Sequence, residues 1–408
     1  MIYFHWIAGT ILALAWASRI VDAALGMPSV ADVSHPEWDR NPVSPAGNPR
    51  VSIIVPARNE EETIEQALNT LLALDYDNYE VIAVNDRSTD ATGEIMERMT
   101  QSPRPFDKLR AGSVAQNARR TGHPDFRVVH HTELPAGWLG KTHAMWTAAN
   151  VATGDWLLFT DADVLFKPDS LRRALAYAES VPADHLVLFP RMIMKRPGEY
   201  MMIAFFQTMF MFGHRPWKVA DPSTDDHMGV GAFNLVRRRV YDAVGTYAAL
   251  RMEVLDDMKL GKVVKQSGFA QRNVFGGDLI SIRWAKGAIG VVNNLTKNFF
   301  AVLSFQWWRT VISALGLAFL NLGPFLGIFL AHGWSRVPYV VALASMFAIY
   351  IGMSWRSGVP AYYFLLHPVS TVMFIYTLLR SMILTLWNDG IEWRGTKYPL
   401  AELRKGMV

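Results

Sequence analysis

The chain has 408 residues, 51% of them hydrophobic, so it can bury a sizeable soluble core and still supply apolar segments to a membrane. Its formal net charge is only +4 and like charges form no long run, which argues against nucleic acid as a partner. The sequence contains no cysteine, which excludes disulfides, zinc–thiolate sites and cysteine nucleophiles. One soluble domain with membrane elements fits better than two soluble domains.

An apolar stretch over residues 2–18 opens the chain and is close to the roughly 20 residues that span a bilayer. A signal peptide is the alternative interpretation. Signal peptides carry positive charge ahead of the apolar stretch, but His5 and Trp6 occupy that place here. We therefore predict an uncleaved transmembrane anchor over residues 1–25, followed by a linker over residues 26–50 that is rich in Pro, Asp and Ser.

Short apolar strands alternate with amphipathic helices over residues 51–298, which predicts a mostly parallel, doubly wound α/β sheet. Helices are predicted after Asn59, which has capping-box spacing to Glu62, after Asp90, and near Lys141. The predicted strands are residues 52–56, 81–84, 126–129 and 156–159.

Two segments interrupt this alternation. Residues 101–122 lack an apolar face and carry a local basic excess, which indicates a surface insertion; contact with lipid headgroups is the less favoured alternative. Residues 200–213 are strongly apolar but too short to span a bilayer. They fit either a helix in the membrane interface or a buried core helix.

Long apolar runs return in residues 299–387, and we expect about three membrane helices there, before a basic tail over residues 388–408. With one N-terminal anchor, three spans would place this tail on the side opposite the soluble domain. The Arg and Lys residues of the tail favour the cytoplasm instead. We therefore expect the run that contains Pro368 to be re-entrant or divided into two short passes. The apolar runs are residues 311–331, 337–355 and 362–387.

Acidic residues follow several predicted strands. Asp161 and Asp163 follow the strand at 156–159, where two carboxylates can hold a hard divalent cation against a diphosphate. Asp86 ends the second strand and could accept a hydrogen bond from a uracil-like edge or a sugar hydroxyl; a turn or cap is its alternative role. Lys141 opens a helix and, beside the aspartates, is a plausible contact for the phosphates, although alone it would be an ordinary solvated lysine.

Asp256 and Asp257 are adjacent carboxylates further along the chain. Adjacent side chains point to different faces of a regular element, so one can enter a cleft while the other caps a helix or forms an ion pair. A carboxylate beside an acceptor hydroxyl would serve as general base in an inverting sugar transfer. A helix N-cap is the competing interpretation.

Six segments in order resemble glycosyltransferase family 2, in the branch of ceramide-glucosyltransferase-like and bacterial carotenoid- or hopanoid-associated lipid glycosyltransferases. The resemblance covers roughly residues 50–300, and six ordered motifs are far more specific than one. It implies a GT-A fold, an inverting mechanism, a UDP-sugar donor and Mg²⁺ or Mn²⁺. The segments are residues 55–61, 85–90, 140–141, 161–163, 229–233 with Arg237 and Arg238, and 255–260.

The resemblance also implies individual roles. Asp161 and Asp163 correspond to the metal and diphosphate pair, with Asp163 the favoured direct ligand. Asp257 corresponds to the catalytic base, and Asp256 stands where the family has glutamate. The implied nucleotide contacts are Pro56, Ala57, Glu60 and Asp86.

The Gln/Arg-x-x-Arg-Trp element that such enzymes place after the base is incomplete. Arg283 and Trp284 give the right ending, but Ile280 stands where Gln or Arg is expected. Residues 306–309 give the right beginning without the final Trp. We favour Arg283 and Trp284, with Asp256, as diphosphate and acceptor contacts. The two tryptophans of 306–309 then fit an interfacial aromatic belt.

These features predict transfer of a sugar from a UDP-sugar to a lipid acceptor at the cell (inner) membrane, with the catalytic domain in the cytoplasm. A processive polysaccharide synthase of the same family is one alternative, although it would normally need more spans. A non-catalytic membrane scaffold is the other, but it would have no reason to keep acids at every strand end. The sequon at Asn294 is assigned no role, because it adjoins the membrane on a domain that needs cytoplasmic nucleotide sugars. The pair His130-His131 is assigned no role either, because it lacks metal-ligand spacing.

Overall fold

The computed structural model describes residues 2–42, 47–101 and 125–408. The chain divides into two compact units. The apolar unit comprises Met1–Val30, Met192–Lys218 and Arg283–Met407, and the α/β unit comprises Ala31–Arg191, Val219–Ile282 and Val408. This division differs from the linear domain order expected from the sequence, because the chain enters the apolar unit three times. Of the predicted insertion over 101–122, only Gln101 lies within the described residues.

The helices, in chain order, are α1 (Ile2–Gly26), α2 (Ile64–Leu72), α3 (Thr92–Gln101), α4 (Gly140–Val151), α5 (Ser170–Ser180), α6 (Pro197–Gly213), α7 (Arg238–Ala243), α8 (Thr246–Ala249), α9 (Asp256–Gln266), α10 (Gly287–Val302), α11 (Trp307–Leu330), α12 (Val337–Ser357), α13 (His367–Trp387) and α14 (Leu400–Lys405). The strands are β1 (Val51–Ala57), β2 (Tyr79–Asp86), β3 (Asp125–His131), β4 (Trp156–Phe159), β5 (Val164–Phe166), β6 (His185–Phe189), β7 (Arg191–Met192), β8 (Asn234–Arg237), β9 (Gln271–Phe275), β10 (Ile280–Ile282), β11 (Gly390–Trp393) and β12 (Thr396–Pro399).

A seven-stranded sheet forms the centre of the α/β unit, in the order β3-β2-β1-β4-β8-β6-β9. The pairs β1–β2, β1–β4, β2–β3 and β6–β9 are parallel, whereas β8 runs antiparallel to β4 and β6. Strands β1 and β4 are buried along their whole length, as expected for strands covered on both faces. The mostly parallel α/β sheet predicted from the sequence is confirmed.

The strand directions bring several loops to one edge of this sheet. Ala57 at the end of β1 lies opposite Asn85, near the end of β2. Strand β4 ends beside the same edge, and its Phe159 lies opposite Asn234. Because Asn234 is the first residue of the antiparallel strand β8, the segment that precedes β8 also reaches this edge.

The loop before α2 differs from its prediction. Asn59 has a φ of 55°, and its Oδ1 accepts a hydrogen bond from the backbone N–H of Thr89 at 2.8 Å. The capping box expected from Asn59 and Glu62 is therefore wrong, because Asn59 instead ties the loop after β1 to the loop after β2. The helix predicted after Asp90 is confirmed: the N–H of Thr92 donates to Asp90 Oδ1 at 3.0 Å.

The apolar unit contains helices with the length and composition of membrane spans. One is N-terminal and three are C-terminal, as the sequence predicts. Pro368 lies in the first turn of α13, and this helix runs unbroken to Trp387. Proline is compatible with a first turn, so the expected division of this run into two short passes is wrong, whereas the re-entrant alternative stays a prediction. Within residues 2–42, 47–101 and 125–408, the four candidate spans are Ile2–Ser29, Trp307–Leu330, Gly333–Ser357 and Ala361–Trp387.

Helix α6 packs into the hydrophobic core of the apolar unit. Met202, Ile203, Ala204 and Phe205 are buried there, together with residues of α10, α12 and α13. Of the two interpretations of residues 200–213, this packing favours the core helix.

Candidate active site

Lys141 lies among acidic side chains in a small cavity of the α/β unit. Its Nζ is 2.8 Å from Asp161 Oδ1 and 3.5 Å from Asp256 Oδ2. Asp257 lines the same cavity. Residues from three separate sequence motifs therefore meet at one point. The remaining lining residues are Met145, Phe159, Thr160, Gly231, Asn234 and Tyr247.

The first turn of α4 positions Lys141. The N–H of Leu139 and the hydroxyl of Thr142 both donate to the carbonyl oxygen of Arg251, at 2.8 and 2.7 Å. Arg251 belongs to the loop that leads into α9. These two bonds fix the start of α4 against that loop, so Lys141 and the acids at the start of α9 are held together.

Residues 229–231, which precede β8, are called the glycine segment. This segment lies against both Asp161 and Asp257. The N–H of Asp161 donates to the carbonyl oxygen of Gly231 at 3.0 Å. A Cβ at Gly231 would lie 2.5 Å from Asp161 Oδ2, and a Cβ at Gly229 would overlap the backbone carbonyl of Asp257. Any larger residue at either position would displace one of the two aspartates.

Asp256 and Asp257 are the first two residues of α9. Leu255 occupies the N-cap position, so the N-cap interpretation of the two aspartates is not supported. Asp256 forms the ion pair with Lys141, and Asp257 faces the cavity while its Oδ1 accepts the N–H of Met258 at 2.7 Å. The expected division, in which one carboxylate pairs and the other enters the cleft, agrees with these contacts.

Negative charge is in excess around the cavity. Burial, together with the charges of Asp161 and Glu60, raises the pKa of Asp163 to about 7. Burial also raises the pKa of Asp257, although the Lys141 ammonium opposes that shift. Burial alone would lower the pKa of Lys141, but the neighbouring carboxylates raise it above its ordinary value. Lys141 is therefore charged, and a further cation would relieve the remaining repulsion.

The carboxylates of Asp161 and Asp163 fit a divalent cation. Carboxylate oxygens are the ligands that Mg²⁺ and Mn²⁺ prefer, and a bound cation would oppose the burial and the acidic neighbours that raise the pKa of Asp163. Within the described ranges, no group of three or more His, Asp or Glu residues could hold a metal ion by itself. One or two carboxylates completed by substrate phosphates are typical of Mg²⁺ sites. The residues therefore fit a metal that binds together with a phosphorylated ligand.

Asp86, at the end of β2, is buried and already neutralised. Arg87 donates from Nε and Nη2 to its two carboxylate oxygens, at 2.9 and 3.0 Å. Arg58 Nη1 and His131 Nδ1 lie 3.9 and 3.8 Å from the same carboxylate. Burial would raise the pKa of Asp86, but these neighbours lower it to about 2. Gly140, which precedes Lys141, packs directly against Asp86 Oδ2.

The loops after β1 and β2 are bonded to each other beside Asp86. The N–H of Glu60 donates to the Thr92 hydroxyl at 2.8 Å, and the N–H of Glu61 donates to Asp90 Oδ2 at 3.2 Å. In return, Glu61 Oε2 accepts the N–H of Ala91 at 3.0 Å. Glu60, the predicted nucleotide contact after β1, therefore lies in a pair of loops that are hydrogen-bonded to each other, which we call the double loop. Two other predicted nucleotide contacts, Pro56 and Ala57, are buried at the end of β1.

Arg283 and Trp284 belong to the apolar unit rather than to the α/β unit. Arg283 Nη2 is 3.0 Å from Glu199 Oε1, a fully buried carboxylate of α6. The Trp284 ring lies 4.9 Å from that of Phe206. The diphosphate and acceptor role of Arg283 and Trp284 stays a prediction. Residues 307–308, at the start of α11, are exposed tryptophans, as an interfacial belt would require.

Sequence reasoning missed several cavity-lining residues, among them Asn234 and Tyr247. Asn234 is a buried amide that opens β8 ahead of two apolar residues, Leu235 and Val236, and this polar residue was the only sequence signal for it. Tyr247 lies in a four-residue helix and carries no recognisable pattern. Gly229 and Gly231 entered only through the family resemblance, and the structure supplies their steric reason.

Comparison with known proteins gives three relevant findings. The profile of Glycosyl transferase family 2 matches residues 52–257, half of the chain. The 4,4'-diaponeurosporenoate glycosyltransferase of Staphylococcus aureus (strain USA300) is 23% identical over 359 residues, which cover 86% of this chain and 89% of that protein. The protein of the same name from Staphylococcus haemolyticus (strain JCSC1435) is 22% identical, over 61% of this chain and 60% of that protein.

A solved structure also resembles this chain. The mannosyltransferase PcManGT from Pyrobaculum calidifontis, in complex with GDP-Man and Mn²⁺, matches with a TM-score of 0.51 and 19% identity. The match covers 94% of this chain and 99% of that one. At this identity the likeness concerns the fold alone, and it agrees with the GT-A fold expected from the sequence.

Proposed function

Since the chain belongs to glycosyl transferase family 2, we propose that it transfers a sugar from a UDP-sugar to a lipid acceptor by an inverting, metal-dependent reaction. The observation that carries this proposal is the cavity in which Lys141 pairs with Asp161 and Asp256 while Asp257 faces the open space. A cluster of titratable groups with shifted pKa values in a cleft is typical of catalytic sites.

Donor binding uses the sheet edge. Asp161 and Asp163 would hold a divalent cation, which supplies neutralisation of the donor diphosphate and of the charge that develops on it. Lys141 adds a second positive charge at the start of α4, where helix N–H groups also favour phosphate. The double loop that carries Glu60, with Asp86 beside it, would contact the nucleoside.

Asp257 is the proposed general base. It removes the proton of the acceptor hydroxyl as that oxygen attacks the anomeric carbon, the bond to the diphosphate breaks, and the nucleoside diphosphate leaves with the electron pair. Attack from the side opposite the leaving group inverts the anomeric configuration. Burial raises the pKa of Asp257, which makes the carboxylate a stronger base than an exposed aspartate. Asp256 is paired with Lys141, so Asp257 is the carboxylate left for this step.

A lipid acceptor is supported by two observations. Among the described residues, four helices of the apolar unit have the length and hydropathy of membrane spans. The relatives from Staphylococcus are named for a carotenoid acid acceptor. We propose that the protein lies in the cell (inner) membrane with the α/β unit in the cytoplasm, where nucleotide sugars are available.

The full-length protein in lipid nanodiscs, incubated with radiolabelled UDP-glucose, UDP-GlcNAc or GDP-mannose, tests this function. The acceptors are ceramide, diacylglycerol and 4,4'-diaponeurosporenoate, and mass spectrometry identifies the products. We expect one labelled glycolipid, formed from a UDP-sugar, that disappears with EDTA and returns with Mg²⁺ or Mn²⁺. A GDP-sugar donor would correct the donor assignment. A labelled polymer would favour a polysaccharide synthase, and the absence of any transfer would favour a scaffold.

A further inference from the structure

A line of buried polar side chains runs through the central sheet and ends at the backbone of Asp257. His185, Asn234 and Gln271 are the first residues of β6, β8 and β9, and each is at most 1% exposed. Gln271 Nε2 is 2.6 Å from His185 Nδ1, and His185 Nε2 contacts Asn234 Oδ1. Asn234 Nδ2 donates to the carbonyl oxygen of Asp257 at 3.4 Å. We call these three side chains the polar relay.

The hydrogen bonds of the polar relay run in one direction. Gln271 Oε1 accepts the N–H of Met228 at 2.8 Å, so the Gln271 amide nitrogen faces His185 and donates to Nδ1. The proton of His185 is therefore on Nε2, which donates to Asn234 Oδ1. Asn234 then donates to Asp257. This order requires a neutral imidazole, and burial lowers the pKa of His185 to about 4.

The polar relay also contacts the two elements that frame Asp257. Gln271 Nε2 lies 3.0 Å from the carbonyl oxygen of Met228, which precedes the glycine segment, and 3.1 Å from that of Gly261 in α9. Asn234 itself lines the cavity. Burying three polar side chains is costly unless each is fully bonded, and a satisfied network is rigid. The polar relay thus links the central sheet to the glycine segment and to α9.

We propose that His185 is a positioning residue for sugar transfer, acting through Asn234 to fix the backbone, and hence the carboxylate, of Asp257. This inference rests on the proposed function, in which Asp257 is the general base. His185 itself need not touch the substrate, because its effect passes through Asn234. Misplacement of a catalytic group by about 1 Å can cost about 100-fold in rate.

His185→Leu and His185→Gln in the full-length protein test the proposal. A glutamine can accept from Gln271 through its oxygen and donate to Asn234 through its nitrogen, whereas leucine can do neither. The donor is UDP-glucose, or GDP-mannose if the transfer assay identifies that sugar instead. We expect His185→Leu to lower kcat roughly 10- to 100-fold while KM for the donor changes less than about twofold. His185→Gln should recover most of kcat.

Asn273→Leu is the matched control. Asn273 lies on β9, is 6% exposed, and its Nδ2 has no hydrogen-bond partner among the residues that the structure describes. It is buried and polar like the polar relay but does not lead to Asp257, so we expect its kcat to be that of the wild type. Thermal unfolding and titration of donor-binding sites measure how much of each variant is folded.

Three outcomes would overturn the positioning role. His185→Leu could keep wild-type kcat, His185→Gln could be as impaired as His185→Leu, or the lost activity could match the lost fraction of folded protein. Asp257→Asn serves as the benchmark. If Asp257→Asn is fully active with a hydroxyl acceptor, the proposed function fails first, because Asp257 is then not the base. If Asp257→Asn is inactive and His185→Leu is unimpaired, only the positioning role fails.

Discussion

Asp86 and Asp163 lie at the same edge of the central sheet, yet their electrostatic surroundings are opposite. Arg87, with Arg58 and His131 nearby, lowers the pKa of Asp86 to about 2 against the effect of burial. Burial and two neighbouring acids raise the pKa of Asp163 to about 7. Positively charged neighbours in the protein stabilise the Asp86 carboxylate, whereas burial and acidic neighbours destabilise the Asp163 carboxylate.

The difference separates the frame of the site from the part that binds ligand. Around Asp86 the loops after β1 and β2 bond to each other, so this side is complete in the free protein. Around Asp163 the negative charge of the carboxylates is not fully balanced, which lowers the stability of the folded protein and favours binding of a cation. Substitutions on the two sides of the site should therefore have different effects on transfer and on stability.

Asp163→Asn should abolish metal-dependent transfer, by about 1000-fold or more, because it removes a proposed ligand of the cation that stabilises the leaving diphosphate. Initial rates at saturating Mn²⁺ measure the loss. Asp125→Asn is the control, because Asp125 has a side chain 68% exposed on β3, and it should be fully active. More than about a tenth of wild-type activity in Asp163→Asn would contradict the metal role.

Gly231→Ala should lower transfer by about 100-fold, since the added Cβ would lie 2.5 Å from Asp161 Oδ2 and displace that carboxylate. Gly213→Ala is the control, because a Cβ there meets no atom of the described part of the chain within 4 Å. Rates and donor KM are compared for both variants. Equal activity of the two would show that the glycine segment does not define the site.

The two carboxylates should give opposite pH dependence of folding. Asp86 has a lowered pKa, so its stabilisation is present above pH 3.8 and is lost as pH falls towards about 2. Asp163 has a raised pKa, so its contribution is most favourable below pH 3.8 and is lost as pH rises towards about 7.

Unfolding measured in metal-free buffer at pH 7 tests this reversal. Asp86→Asn should destabilise the protein by about 2 kcal/mol, because Arg87 loses its charged partner. Asp163→Asn should stabilise it, because repulsion with Asp161 and Glu60 is relieved. Destabilisation of similar size in both variants would remove the contrast between frame and ligand site.

The smallest effect is expected at an exposed ion pair of the α/β unit. Arg98 Nη2 and Glu65 Oε2 are 3.3 Å apart, and their side chains are 58% and 54% exposed. Solvent screens such pairs, so Glu65→Gln should change the free energy of unfolding by less than about 1 kcal/mol and leave transfer unchanged. A larger effect would mean that surface charge, rather than the buried acids, governs stability.

The sequence predicted the parts of the site that follow directly from strand order. Asp86 ends one strand and Asp161 follows another, and both strands pair in parallel with β1, so their convergence needs only the α/β alternation. Lys141 was recognisable because it opens a helix. The spans were recognisable from length and hydropathy.

Contacts between distant residues could not be predicted. Asn59 and Glu62 have capping-box spacing, but the N–H of Thr89, 30 positions away, takes the Asn59 oxygen. His185 reaches Asn234 and Gln271, 49 and 86 positions away, and those contacts depend on the antiparallel insertion of β8 between β4 and β6. Nothing in local periodicity encodes this strand order.

Asp257→Asn tests the central claim most directly. The variant keeps the shape of the side chain but cannot accept a proton at neutral pH. With a hydroxyl acceptor we expect kcat to fall by 10²- to 10⁴-fold, while KM for the donor stays within a few fold. A carboxylate acceptor is already deprotonated at neutral pH and needs no base, so the same assay with 4,4'-diaponeurosporenoate separates the two acceptor classes. Undiminished kcat with a hydroxyl acceptor would contradict the assignment of Asp257 as the base.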